Sequence, residues 1–317
     1  MSGSVPREAD RDRAPGLLDG AMGLELTPRE ANLRYWLAAV PHGTLRGWLD
    51  GHPPDVAVPD LMRRGPLYDA ITREYAFRAV AEEKAARALS YLVPLAPDTD
   101  TMEFYATQVL DEARHAMVFR NHLVTLGVPA ERLRPVIDEV AGGDVRSILL
   151  PLEEFALDVM RDRADFLGGV VVMTVILEGA LAPAAELSER KWRPLDPAAA
   201  DIDRGAGIDE IRHLTVGAAV ARQYLLEHPE RKPDVLDLIR RGMRLWARLP
   251  VRDMVARREE LFQRGLERHA EVVGDYEIWP GRRLVDTTPE ERQGRAEGWS
   301  AEMKEIRLKY MGLEEAL

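Results

Sequence analysis

Apolar residues recur along this chain with the three-to-four-residue period of helices, and no stretch alternates convincingly as a strand would. The first long pattern runs from residue 66 to about 93 and is stopped by Pro94. Leu67, Ile71, Tyr75, Ala79, Ala86 and Leu89 form its apolar stripe, and Glu82 interrupts it. Asp98 and Thr99 read as the cap of a second helix that ends at Gly127, before Pro129. A short helix over 129–140 closes at Gly142 and Gly143, and from Asp144 a long pattern continues to roughly Arg190. Its expected kink is at Gly168-Gly169, with bends or breaks at Pro151 and Pro183. Residues 170–181 are apolar on every side except for Thr174, Glu178 and Gly179, as in a helix at the centre of a core. Residues 194–207 read as a loop leading into a fourth long helix over 208–226. Two amphipathic helices (235–247 and 251–270), a loop (275–289) and a polar last helix (290–311) complete the pattern.

This predicts an all-α protein: a four-helix bundle with extra flanking helices. Residues 1–60 form an N-terminal arm, mobile to about residue 28 and then wrapping through a short amphipathic stretch with Tyr35 and Trp36. Residues 61–273 carry the bundle and its accessory helices, and 274–317 a C-terminal tail and helix.

The chemistry lies in a repeat. D-E-A-R-H at 111–115 and D-E-I-R-H at 209–213 are the only two places where Glu-x-x-His occurs. Three residues apart on a helix puts carboxylate and imidazole on one face. At ordinary residue frequencies a single D-E-x-R-H is expected in roughly one chain in a hundred. Glu82 precedes Glu112 by 30 residues and Glu178 precedes Glu210 by 32, so each half is a lone buried Glu followed by Glu-x-x-His. Thirty residues suffice for a helix hairpin whose midpoints face each other. Two such hairpins gather Glu82, Glu112, His115, Glu178, Glu210 and His213 at a bundle centre, as in di-iron and di-manganese carboxylate proteins.

Four buried carboxylates without countercharge repel one another, and two divalent cations neutralise them. Oxygen ligands with two nitrogens suit iron or manganese better than zinc. The alternative is a structural one, with Arg114 and Arg212 pairing these acids as core salt bridges. Glu83 competes with Glu82 for the ligand position, although the stripe favours Glu82. Asp111 and Asp209 are expected to accept the free imidazole N–H of the histidine opposite. His122 reads as a hydrogen-bonded core residue.

Composition narrows the setting. A net charge of −11 argues against nucleic acid or an anionic membrane as partner, and suits a basic partner such as a reductase. With no cysteine, disulfides, thiolate nucleophiles and iron–sulfur clusters are excluded. The Arg- and Asp-rich start is no signal peptide, and the apolar run 166–182 is short for a span, so a cytoplasmic location is expected.

The paired D-E-x-R-H with Glu82 and Glu178 resembles the ferritin-like non-haem di-iron oxygenase and ribonucleotide reductase small-subunit superfamily, over roughly residues 65–227. The resemblance implies a ferritin-like bundle, two iron ions or manganese as cofactor, and Asp111, Arg114, Asp209 and Arg212 surrounding the ligands. Phe119 stands where the reductase subunit places its radical tyrosine, and Ala206 where arylamine N-oxygenases place a seventh ligand. Chain length and the run D-E-A-R-H-A-M are similar to the azoxy-forming ferritin-like enzymes of the valanimycin type, linked to antibiotic biosynthesis. The activity implied is a monooxygenase that uses O2 and an external reductase or ferredoxin to oxidise nitrogen in a small molecule. A C–H hydroxylase or desaturase would use the same centre. No catalytic residue beyond the metal ligands is expected; Tyr105, Thr107, Phe119, Thr174 and Leu177 are the expected substrate-pocket walls. A homodimer is the family expectation.

Overall fold

The computed structural model describes residues 5–317. In chain order, α1 (Leu17–Gly23) and α2 (Leu33–Ala39) precede two long helices, α3 (Pro66–Leu89) and α4 (Thr99–Thr125). Shorter helices follow: α5 (Leu133–Asp144), α6 (Leu150–Leu157) and α7 (Phe166–Val171). Next come α8 (Glu178–Trp192) and the longest helix, α9 (Pro197–Glu227). The chain closes with α10 (Lys232–Trp246), α11 (Val251–Arg268), α12 (Ala270–Val273) and α13 (Pro289–Met311). The protein is an all-α helical bundle. Among the described residues its one departure is a two-stranded hairpin, Glu277–Trp279 with Arg282–Arg283, which the sequence pattern missed because the strands are too short to alternate.

α3 packs along α4 and α8 along α9, with α4 also against α9. These two hairpins form the core, and α11 covers α3 while α13 covers α8. Local chemistry sets the helix starts. The Asp98 side chain accepts from Thr101 N at 2.8 Å, and Asp196 accepts from Ala199 N at 3.1 Å. Asp196 with Pro197 at the first helical position starts α9 eleven residues before the predicted 208, so most of the expected 194–207 loop is helix.

The pattern from Asp144 to Arg190 is not one helix. π-helical turns at Val145–Leu149 and Asp158–Asp162 flank α6, and the chain then breaks at Ala164, whose φ is +49°. Asp165 caps the next helix, so the break lies just before Gly168-Gly169 and both glycines sit inside α7. From there Phe166–Trp192 is continuous through a third π-helical stretch, Val172–Leu177. It is long and apolar enough to cross a membrane, but its most apolar window is 78% buried in protein, as in a core helix. Close approach to α9 requires Gly217, since a Cβ there would lie 2.1 Å from Thr174 Oγ1.

From residue 5 on, the N-terminal region is more ordered than the expected arm, whose first four residues lie outside the described ones. Leu17, Leu18 and Ala21 of α1 are buried, and α1 packs on α9, where Ile211 occupies the space a Cβ at Gly20 would need. The last helix is likewise not wholly polar: Trp299, Met303, Leu308 and Met311 are buried.

Candidate metal centre

The two helix hairpins bring all six predicted ligands together. Ligand atoms of Glu82, Glu112, His115 and Glu210 lie within 4.8 Å of one another, as do those of Glu112, Glu178 and His213. Glu82 comes from α3, Glu112 and His115 from α4, Glu178 from the first turn of α8, and Glu210 and His213 from α9. Glu83 points outward instead, 2.8 Å from Arg87 on the surface, which decides between the two adjacent acids.

Each histidine presents Nδ1 to the centre and Nε2 away from it. His115 Nδ1 is 3.3 Å from Glu112 and 4.0 Å from Glu210. His213 Nδ1 is 3.1 Å from Glu112 and 3.7 Å from Glu210. The Nε2 atoms reach across the pseudo-two-fold, His115 to Asp209 at 3.3 Å and His213 to Asp111 at 3.4 Å. Arg114 bonds Asp209, and Arg212 bonds Asp111. Each Asp, anchored by the other half's arginine, is thus placed to accept Nε2–H and leave Nδ1 free as a ligand. The two halves are not identical: the Trp36 indole also donates to Asp111, at 3.0 Å.

This arrangement removes the argument for a core held by salt bridges. Both arginines pair with the aspartates, and neither pairs with a glutamate of the centre. The glutamates are left facing one another. Burial, and then Glu112, push the Glu82 carboxyl well above its usual range. Burial, and then Glu210 and Glu112, do the same to Glu178. Glu112 goes the other way: burial opposes, but the two histidines hold it well below. His115 is pushed up to about 10, because Asp209 and Glu112 outweigh burial and Arg114. His213 is held well above its ordinary value, with burial opposing and Asp111, Glu112 and Glu210 favouring the cation.

The donor set fits a metal on its own chemistry. Glu178 Oε2 is buried without a hydrogen-bond partner, and Glu112 Oε1 and His213 Nδ1 have nothing closer than their own 3.1 Å approach. Orphaned acceptors of this kind are costly unless something else satisfies them, and a cation does. Oxygen-rich, two-nitrogen sites without sulfur are the preference of iron and manganese.

A cavity of about 350 Å³ ends on the site. All four glutamates line it and neither histidine does, so access is from the carboxylate side. Ala81, Ala85, Leu152, Met173 and Leu177 make much of its apolar wall. Of the five expected pocket residues, only Leu177 lies there. Tyr105 stacks edge-on with Phe104 and Phe166 in the core, and the Thr107 hydroxyl bonds back to the Phe104 carbonyl at 2.8 Å. Phe119 packs on Tyr75 and beneath Arg78, and Thr174 fills the notch at Gly217. Helical proximity to a ligand identified these residues. The cavity instead opens between α3, α6, α8 and α11, a side fixed by how the flanking helices dock.

Two contacts escaped the sequence reading. Gln108 donates to Glu178 Oε1 at 2.7 Å, and its place one turn before Glu112 on the ligand face was a usable signal. Trp246 donates to the Ile176 carbonyl at 2.6 Å, inside the π-helical stretch before Glu178, and nothing in the sequence foretold that. His122 pairs with Asp196 at 2.9 Å in the core, away from the six ligands.

Fold and site together define a helical bundle whose buried Glu and His side chains can hold a metal ion. A scan of protein-family models finds no match to the chain, and a search of curated proteins finds no significant one.

Proposed function

We propose that this chain is an O2-dependent, non-haem di-iron oxygenase of the ferritin-like superfamily. Its six ligands are Glu82, Glu112, His115, Glu178, Glu210 and His213, with manganese the second choice of metal. Its substrate is a small molecule with an oxidisable nitrogen, a hydrazine, hydroxylamine or amine, converted to an N-oxygenated or azoxy product in secondary metabolism. The observation that carries this reading is the apolar cavity that ends on four metal-binding carboxylates.

The metal pair, when bound, supplies the reductive activation of O2 and delivery of one oxygen atom to substrate. The chain's own residues do the rest. Asp111 and Asp209 hold the imidazole N–H groups and so keep both Nδ1 lone pairs aimed at the centre. Gln108 fixes one oxygen of Glu178 and leaves the other free. Ala85, Met173 and Leu177 keep water from the reacting atoms. The acidic surface suits a basic reductase as electron donor. Leu110, Met117 and Val124, exposed at seven-residue intervals on α4, support a homodimer.

The test is to load the protein with ferrous iron, reduce it, and expose it to isotopically labelled O2 with a panel of hydrazines, hydroxylamines, amines and alkyl acids. Label on nitrogen is the expected outcome. Label on carbon, or dehydrogenation of an alkyl chain, would move the assignment to a hydroxylase or desaturase. Protein binding well under one equivalent of iron or manganese would end the metal reading.

A further inference from the structure

The end of the cavity away from the glutamates carries a cation that the chemistry above does not use. Arg258 of α11 lines it, with only 11% of its side chain exposed and its guanidinium 4.7 Å over the Phe77 ring. Its Nε and Nη2 are both buried and neither has a hydrogen-bond partner. Those two N–H groups form one edge of the guanidinium, the fork that grips a carboxylate with two parallel bonds.

The acids nearby are already taken. Glu259 lies 2.6 Å from both Lys191 and Arg292, and Glu74 lies 3.5 Å from Lys191. Asp203 is held by Arg78 at 2.5 Å. Asp144 is 2.7 Å from Arg257 and 3.8 Å from Arg258 Nη2, too far for a hydrogen bond to the latter. Burial draws the Arg258 pKa down to about 10, with Glu74 and Asp144 opposing, so it remains a cation at neutral pH. A buried cation on the cavity lining with an unmade bidentate edge calls for an anion from outside.

α3 serves as a ruler between this group and the metal ligands. Phe77, beneath Arg258, precedes Glu82 by five residues, and Glu74, also on the cavity wall, by eight. At helical rise these are about 7.5 and 12 Å. Between them the wall carries Arg78, whose charge is already paired with Asp203, and the apolar side chains Ala81 and, from α6, Leu152.

We propose that Arg258 anchors a carboxylate of the substrate. The cavity then selects an elongated molecule with a carboxylate at one end, an apolar spacer, and its oxidisable atom about 8–12 Å away at the glutamates. This rests on the oxygenase reading for what happens at the far end, but the anchor itself can be measured without turnover. Arg258 is a specificity residue here, distant from the reacting atoms.

The experiment titrates the 317-residue protein, its iron content measured, with octanoate and with methyl octanoate, followed by calorimetry and by intrinsic tryptophan fluorescence, to which Trp246 of the cavity lining contributes. Wild type should bind octanoate about tenfold or more tighter than the ester. Arg258→Gln should lose that advantage while leaving ester affinity and iron content unchanged. Arg258→Lys should retain part of it, since Lys keeps the charge without the fork, and it serves as the test variant should the Gln protein fail to fold. Arg252→Gln, the other arginine of α11 on the cavity lining but exposed and paired with Glu297 at 2.9 Å, should match wild type. Equal affinity for acid and ester in wild type, or wild-type octanoate binding by both Arg258 variants, would overturn the anchor. Iron-loaded protein that ignores Arg258 sinks the anchor alone; iron-free protein that binds octanoate through Arg258 sinks the oxygenase reading alone.

Discussion

Replacing Glu178 with Gln should have effects of opposite sign in the metal-free and metal-loaded protein. Gln keeps the carbonyl oxygen that accepts the 2.7 Å bond from Gln108, and it matches the protonated acid in shape. In the folded chain the Glu178 pKa is raised by burial and by Glu210 and Glu112. A carboxyl raised on folding costs nothing below its unfolded pKa, and its cost grows with pH until the folded pKa is passed. Metal-free Glu178→Gln should therefore equal wild type near pH 4.5 and exceed it at pH 8. With metal the order reverses. Metal at a thousandfold excess over its Kd stabilises by about 4 kcal/mol, and for a chain of this length that is a Tm rise of about 6 °C. Losing one anionic ligand at about a hundredfold in affinity leaves about 1.4 kcal/mol, or about 2 °C. The assay is calorimetric melting of both proteins at several pH values, with chelator and then with manganese or anaerobic ferrous iron. Destabilisation of the metal-free variant at pH 8, or equal metal-induced Tm shifts in the two proteins, would refute the reasoning.

Metal uptake should expel protons, since His115 and His213 are held as cations and Glu82 and Glu178 favour their protonated forms in the metal-free protein. Affinity should accordingly rise with pH through the neutral range; binding heats identical across buffers of different ionisation enthalpy would contradict this. Asp209→Asn should weaken metal binding by about 10–100-fold by loosening His115 and leaving Arg114 without its anion, measured by chelator competition. Glu83→Gln, beside it in sequence to a ligand but paired with Arg87 at the surface, should leave metal stoichiometry intact and change stability by at most about 0.5 kcal/mol.

The cluster of Glu82, Glu112, His115, Glu178, Glu210 and His213 was legible in the sequence because each signal was local. Glu-x-x-His spacing fixes one helix face, and a lone acid in an apolar run such as 170–181 has few reasons to exist. The crossed pairing of Asp111 with His213 and Asp209 with His115 was legible too, since the repeat implies a two-fold relation. Helix boundaries were less so. The Asp196-Pro197 cap was passed over, and the π-helical turns around α6 left no periodic mark. The pocket was misplaced onto Tyr105, Thr107, Phe119 and Thr174 because distance along a helix says nothing of which side a neighbouring helix leaves open.

The sequence alone determined the all-α class, the pairing of helices and the six Glu and His side chains that cluster between them, because period and spacing are properties of a single helix. The tertiary structure decided the rest. Docking of α6, α8 and α11 around α3 opened the cavity on the carboxylate side and set Arg258 at its far end. Contacts between residues 258 and 77, or 36 and 111, join elements far apart in the chain, and only packing brings such groups within reach.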